Sequence, residues 1–207
     1  MKQSRPSPCE IIAAARLARS SERVARSLLG TWLISIVDGE ETIGRIVETE
    51  AYLGPHDEAS HAAARIGRTA RNAVMFGPAG SAYVYRSYGI HWCMNVVTGE
   101  VGFPSAVLIR AIEPVSGIRT MRVRRGKHED VDDQSLGRGP GNLTVALGIT
   151  GDLNGHKLDQ PPLALARGTR LRSESIVVGP RIGITRSADW PLRFHVKGNR
   201  CVSHYRR

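Results

Sequence analysis

The chain has no long apolar run, no cysteine framework and few aromatic side chains, and each shortage removes a class of function. No stretch approaches the roughly 20 apolar residues that a membrane-spanning helix needs, so no membrane role is expected. Residues 1–9 are basic, but charges continue through residue 30, where a secretory leader needs an uninterrupted apolar core. Cys9, Cys93 and Cys201 are an odd set without metal-ligand spacing. That pattern argues against a disulfide-built secreted scaffold and for a reduced, cytoplasmic protein.

What the sequence does have is positive charge. The formal net charge is +10 over 207 residues, with an ordinary apolar share of 41%. Lys and Arg number eleven against ten acids in residues 1–100, but eighteen against nine in residues 101–207. Such a field attracts polyanions. A GC-rich genome or simple solubility accounts for arginine equally well, so charge raises the value of a specific site without identifying one.

Length and patterning predict a single mixed α/β (α+β) domain over residues 9–207, preceded by a loose basic arm at residues 1–8. The alanine-rich residues 9–19 read as helical. Ser20 or Ser21 caps a second helix that buries Val24, Ala25, Leu28 and Leu29, with Gly30 as its stop. Residues 31–37 alternate toward Trp32, Ile34 and Ile36, turn at Asp38-Gly39 and return over residues 42–50 as a hairpin. A Gly/Pro/His-rich loop covers residues 53–81, and residues 82–97 and 106–112 are strand-like. Gly117–Arg125 begins a basic helix, Lys127–Asp133 is an exposed connection, and Leu143–Leu147 is a short helical turn. Residues 175–184 and 192–197 are the last strand candidates.

Glu48 and Glu50 stand two apart on a strand, so they share a side, and each can raise the other's pKa if both are buried. Glu48 alone reads as a surface carboxylate. Glu50, followed by Ala51-Tyr52, is a candidate general base or an exposed pair member. Tyr83, Tyr85, Tyr88, His91 and Trp92 form a dense aromatic run ending at Asn95, either a core strand or a stacking surface for an extruded base. His61 lies after Asp57-Glu58 but lacks the His-Glu-x-x-His arrangement of zinc hydrolases, so no metal is expected. Arg110 sits in the apolar run 106–112, where a guanidinium needs an acid or a phosphate. An ion pair with Glu113 or another acid is its structural reading, and a DNA phosphate its functional partner. Gly137–Asn142 offers backbone amides to phosphate but lacks the ending of an ATP-binding loop.

These residues fall in segments 44–61 (GRIVETEAYLGPHDEASH), 71–80 (RNAVMFGPAG), 83–95 (YVYRSYGIHWCMN), 106–114 (AVLIRAIEP), 139–143 (GPGNL) and 180–183 (PRIG). In that order they closely resemble the alkyladenine, or 3-methyladenine, DNA glycosylase family, over roughly residues 15–205. The resemblance implies a curved, largely antiparallel sheet and a bacterial, nucleoid-associated monomer. Its substrate would be double-stranded DNA bearing a damaged purine, with no cofactor. Glu50 would be the general base and Arg110 would help hold the nucleophilic water, with the carbonyl of Ile182 as a third contact. Tyr52, His61 and Tyr85 would enclose the flipped base, and Asn95 would disfavour guanine. Tyr88 would enter the DNA, with Ile90 and His91 beside it. Asn142 replaces the family's usual lysine in Gly-Pro-x-Lys-Leu and cannot neutralise a phosphate. A catalytically silent damaged-DNA-binding protein and a metal-dependent nuclease are the competing classes.

Overall fold

The computed structural model describes residues 10–127 and 131–204. The expected basic arm lies outside the described residues, as do residues 128–130 of the charged connection. Among the described residues no helix is long and apolar enough to cross a membrane.

The first hairpin forms where the pattern places it. Strand β1 (Trp32–Val37) turns through Asp38 and Gly39, both at positive φ, into the long strand β2 (Glu40–Tyr52). Two positive φ values match the right-handed twist of the flanking strands. Strands β3 (Ala82–Ser87), β4 (His91–Thr98) and β5 (Ser105–Ser116) then form a meander. Short strands β6 (Asp159–Gln160), β7 (Leu163–Ala166), β8 (Ile176–Gly179) and β9 (Arg193–Val196) complete one sheet in the order β3-β4-β5-β2-β1-β7-β6, with β9 joining β2 to β8. Every strand pair is antiparallel. The chain is thus a single compact α+β domain around a curled antiparallel sheet.

Strand β2 organises the molecule. Its first half pairs with β1, its second half with β9, and nearly its whole length with β5. Thr49 faces helix α1 (Ser21–Leu28), donating its hydroxyl to the Ala25 carbonyl at 3.0 Å. Glu48 and Glu50, on alternate positions, face the other way. Helix α1 packs Val24, Ala25 and Leu28 into the main core, and burial of each large apolar side chain is worth about 1.5–3 kcal/mol. Gly30 ends this region at φ +84°, where a Cβ would meet the Thr169 carbonyl at 2.2 Å, so only glycine fits. Helices α2 (Ile118–Arg124) and α3 (Pro140–Leu147) stand where a basic helix and a shorter helical turn are predicted.

Three local expectations fail, each to tertiary pairing. The alanine-rich segment forms only a short 3₁₀ turn at Ala14–Arg16. Ile11 instead bridges Ala166, and Ile12 donates its amide to Leu165 at 2.9 Å, so the segment extends the sheet edge beside β7. In β1 the buried face is Leu33 and Ser35, while Ile36 is exposed. Ser35 is drawn inward by its hydroxyl bond to the Leu147 carbonyl of α3 at 2.7 Å. The strand predicted over 175–184 stops at Gly179, and residues 182–184 wall a cavity instead.

Candidate active site

The register of β2 and β5 brings the central charges together. Thr49 pairs with Ile109 and Glu48 with Ala111, so Arg110 is the extra residue of a bulge on β5. A bulge re-aims a side chain, and here it directs the guanidinium between two buried carboxylates. Arg110 Nη1 lies 3.3 Å from Glu50 Oε1, and Nε lies 3.3 Å from Glu48 Oε1. The structural reading from sequence is an ion pair with Glu113 or another acid; the acids are Glu48 and Glu50, while Glu113 pairs with Arg45 and also accepts from Asn199 at 2.8 Å.

Glu50 is fully buried. Its Oε1 also accepts the Ile182 backbone N–H at 2.8 Å, and its Oε2 accepts the Tyr52 hydroxyl at 3.0 Å. The Ile182 contact on this carboxylate is its amide; the resemblance implies a different contact for its carbonyl, to the nucleophilic water. Burial pushes the Glu50 pKa above the ordinary value, against the pull of Arg110, Ile182 and Tyr52, and Glu48 adds to the rise. Glu48, read from sequence as a surface carboxylate, is equally buried. It accepts from Arg193 Nε at 2.6 Å and from the Ser203 amide at 2.8 Å. Burial acts to raise its pKa, but Arg110, Arg193 and Ser203 together hold it below the ordinary value. Two neighbouring carboxylates are thus pushed in opposite directions, a common mark of divided acid–base roles. Arg110 stays charged, because Glu50 and Glu48 outweigh the cost of its burial.

A cavity of about 580 Å³ opens above this cluster. Tyr52, His61, Tyr85, Tyr88, Asn95, Arg110 and Ile182 all line it, together with Arg71, Met75, Tyr83 and Cys93. Glu50 lies just behind Tyr52, Arg110 and Ile182. The His61 and Tyr85 rings meet edge-on at 4.4 Å, and His61 Nδ1 is 3.0 Å from the Tyr83 hydroxyl. Burial, with Arg71 adding to it, lowers the His61 pKa to about 4, so its imidazole is neutral at pH 7. Asn95 donates to the Tyr83 carbonyl at 3.1 Å and is almost fully buried. Among the described residues no lysine lines the cavity and no group of three metal-ligating side chains converges.

A model of the methylpurine-DNA glycosylase family matches residues 15–200. The chain belongs to that family. It is 54% identical over 186 residues to a Rhodopseudomonas palustris protein that carries the provisional name 3-methyladenine DNA glycosylase, covering 90% of this chain and 87% of the relative. A Methanoculleus marisnigri protein of the same provisional name is 53% identical over 195 residues, covering 92% and 97%. This glycosylase is therefore a hydrolase of N-glycosyl bonds in DNA.

The glycosylase presents Tyr88 at the β3–β4 turn with 90% of its surface exposed. Tyr88 and Gly89 both have positive φ, and the Ile90 amide closes the turn on Ser87 at 3.0 Å. A bulky residue at positive φ is strained, and such strain collects at working sites. Ile90 and His91 are also exposed on this tip but do not line the cavity. Asn142, in the first turn of α3, donates its side-chain amide to the Arg138 carbonyl just ahead of the helix at 2.6 Å, which gives the lysine replacement a local structural use. Sequence reading assigned no role to Arg71, which stacks over Tyr85 at 5.3 Å, or to Cys93, whose thiol burial holds protonated. Both fall inside matched segments, the only signal that pointed to them.

Because Tyr88 touches so little protein, Tyr88→Ala is expected to fold with unchanged stability. It should weaken damaged-duplex binding by about 1–3 kcal/mol, the scale of one aromatic stacking contact. Binding titrations with paired and mismatched lesions check this. A penalty as large at the mismatch as at the paired lesion argues that Tyr88 is structural.

Proposed function

We propose that the protein is a monofunctional glycosylase that flips a damaged purine into the aromatic cavity and directs water at the deoxyribose C1′, leaving an abasic site. The observation that carries this reading is a buried carboxylate of raised pKa, braced by an arginine, an amide and a tyrosine hydroxyl, at the base of a slot walled by aromatic rings. A base reaches such a slot only by leaving the duplex stack. Glu50 accepts the proton of the attacking water and stabilises positive charge developing on the sugar, while Arg110 fixes the carboxylate and helps orient the water. The ring of Tyr52 is covered on one side by Arg181, whose guanidinium carbon is 4.6 Å from the ring centre. Its other face is the one available to stack on the base, opposite His61 and Tyr85. Alkylated purines leave as stabilised species and so need little help in departure. We extend the substrate range to 3-methyladenine, 7-methylguanine, hypoxanthine and ethenoadenine. Water is the nucleophile in this reading, since among the described residues no lysine lines the cavity for Schiff-base chemistry.

The test is a damaged-duplex assay in chelator, scored separately for released base and for strand breaks after alkali. Release of free base with breaks only after alkali supports the reading. Direct strand scission, or binding with no release, sinks it.

Asn95 tests selectivity. Its side chain forms part of the cavity wall and is held by Tyr83, so a purine 2-amino group entering there would clash with it. Asn95→Ser should raise guanine excision relative to hypoxanthine, opposite a destabilising mismatch, by about 10-fold, the scale of a single pocket contact. An unchanged ratio in the folded variant rejects Asn95 as the discriminator.

A further inference from the structure

We propose that the buried Arg181–Asp57 pair is a positioning element for excision, setting the spacing between Glu50, the Tyr52 ring and the loop that carries His61. The proposal rests on the reading of Glu50 as the base.

Both side chains are fully enclosed. Arg181 Nη1 and Nη2 bind the two Asp57 oxygens at 2.5 and 2.8 Å, a bidentate pairing. Three segments of the site meet on it. Nη1 also donates to the Ala51 carbonyl at 3.0 Å, the backbone unit between Glu50 and Tyr52. The guanidinium covers the Tyr52 ring, and the next residue, Ile182, supplies the amide on Glu50. Asp57 in turn accepts the amides of Leu53 and Ala59, each at 3.1 Å, which shapes the start of the loop leading to His61.

Stability alone is a poor explanation for this arrangement. A buried ion pair is often no better than apolar residues of the same volume. This one also leaves Arg181 Nε buried without an acceptor among the described residues. What the pair contributes instead is geometry: it allows Tyr52, the Ile182 amide and the His61 loop only one relative placement. Arg181 touches no reacting atom and acts through Tyr52 and Ile182.

The charged and titratable groups facing Glu50 are Arg110 from β5, Glu48 and Tyr52 from β2, and Cys93 from β4. The Ile182 amide lowers the Glu50 pKa. If Arg181 no longer holds the segment, that bond lengthens, the pKa rises, and the acid limb of the rate profile moves to higher pH. A merely structural staple changes the folded fraction and leaves the limb where it was.

Two variants make the test. Arg181→Lys keeps a charge for Asp57 but cannot bridge Asp57 and Ala51 while covering Tyr52. Arg181→Met/Asp57→Asn removes both charges, so none is buried alone. Each is assayed for melting temperature, affinity for abasic-site DNA, and single-turnover release of 7-methylguanine across pH. In the folded variants we expect product affinity within about twofold of wild type and a maximal rate lower by about 10- to 100-fold, as small misplacements cause. The acid limb should shift upward by about half a unit or more. A wild-type rate and limb in either folded variant overturns the proposal, and so does a failure of both variants to fold. An acid limb that persists in Glu50→Gln refutes the base assignment instead, which separates the two failures.

Discussion

Glu50→Gln is expected to lower single-turnover excision by at least about 100-fold, the lower end of what a positioned general base contributes. Glutamine keeps the shape and can still accept the Ile182 amide, so affinity for abasic-site DNA should fall far less than the rate. Stability at neutral pH should hold or rise. The raised Glu50 pKa means that folding penalises its charge, a cost present above the folded pKa and absent below the unfolded one. The pH profile gives a second readout. A general base works deprotonated, so the wild-type rate should climb with pH through the raised Glu50 pKa and then level. The residual Glu50→Gln rate should lack that limb. A cationic lesion such as 7-methylguanine is the right substrate, because its departure does not add a protonation step. Near-wild-type excision by the folded variant would remove Glu50 from the mechanism.

Arg110→Met should be severe in both fold and activity. The substitution leaves Glu48 with Arg193 and Ser203, but Glu50 with only Tyr52 and Ile182. Breaking a buried pair by deleting one partner costs about 3–5 kcal/mol. Loss of Arg110 removes the main influence holding the Glu50 pKa down, so that pKa rises further. The sign of the linkage follows. Between the unfolded pKa and the raised folded pKa, the native state binds the extra proton, so stability falls as pH increases. The melting-temperature gap between wild type and Arg110→Met should therefore narrow on acidification, and excision at neutral pH should fall by about 100-fold or more, because the base is ionised less and the water loses one of its two holders. Melts at several pH values, read against single-turnover rates, check both halves. A gap that widens toward acid would mean that Glu50 is not the group left unpaired.

Much of the fold is legible in local pattern, for a stated reason in each case. The Asp38-Gly39 turn and its flanking apolar residues specify the first hairpin, because few residue pairs accept two positive φ values. The spacing of Val24, Ala25 and Leu28 specifies α1, because only a helix puts all three on one face. Local pattern misleads where another segment competes. The alanine run is a good helix former, yet its backbone is taken by the edge of β7. The alternation of β1 is read on the wrong face, because a serine hydroxyl with a partner on α3 is as much at home inside as an isoleucine.

The sequence by itself determined the family, the single α+β domain, Glu50 as the carboxylate to examine, and the aromatic run that supplies the cavity walls. Those conclusions rest on contiguous segments, and short-range patterning is what a linear chain records. Only the tertiary structure decided how the charges are shared. Glu48 turns inward because β9 and Ser203 close over it, 145 and 155 residues away. Arg110 reaches both carboxylates because the ladder skips it between Ala111 and Ile109, opposite Glu48 and Thr49. Asp57 and Arg181, 124 residues apart, meet under Tyr52 with nothing in their spacing to announce it. In each case the partner of a buried charge is set by strand register, and register is a property of the assembled sheet.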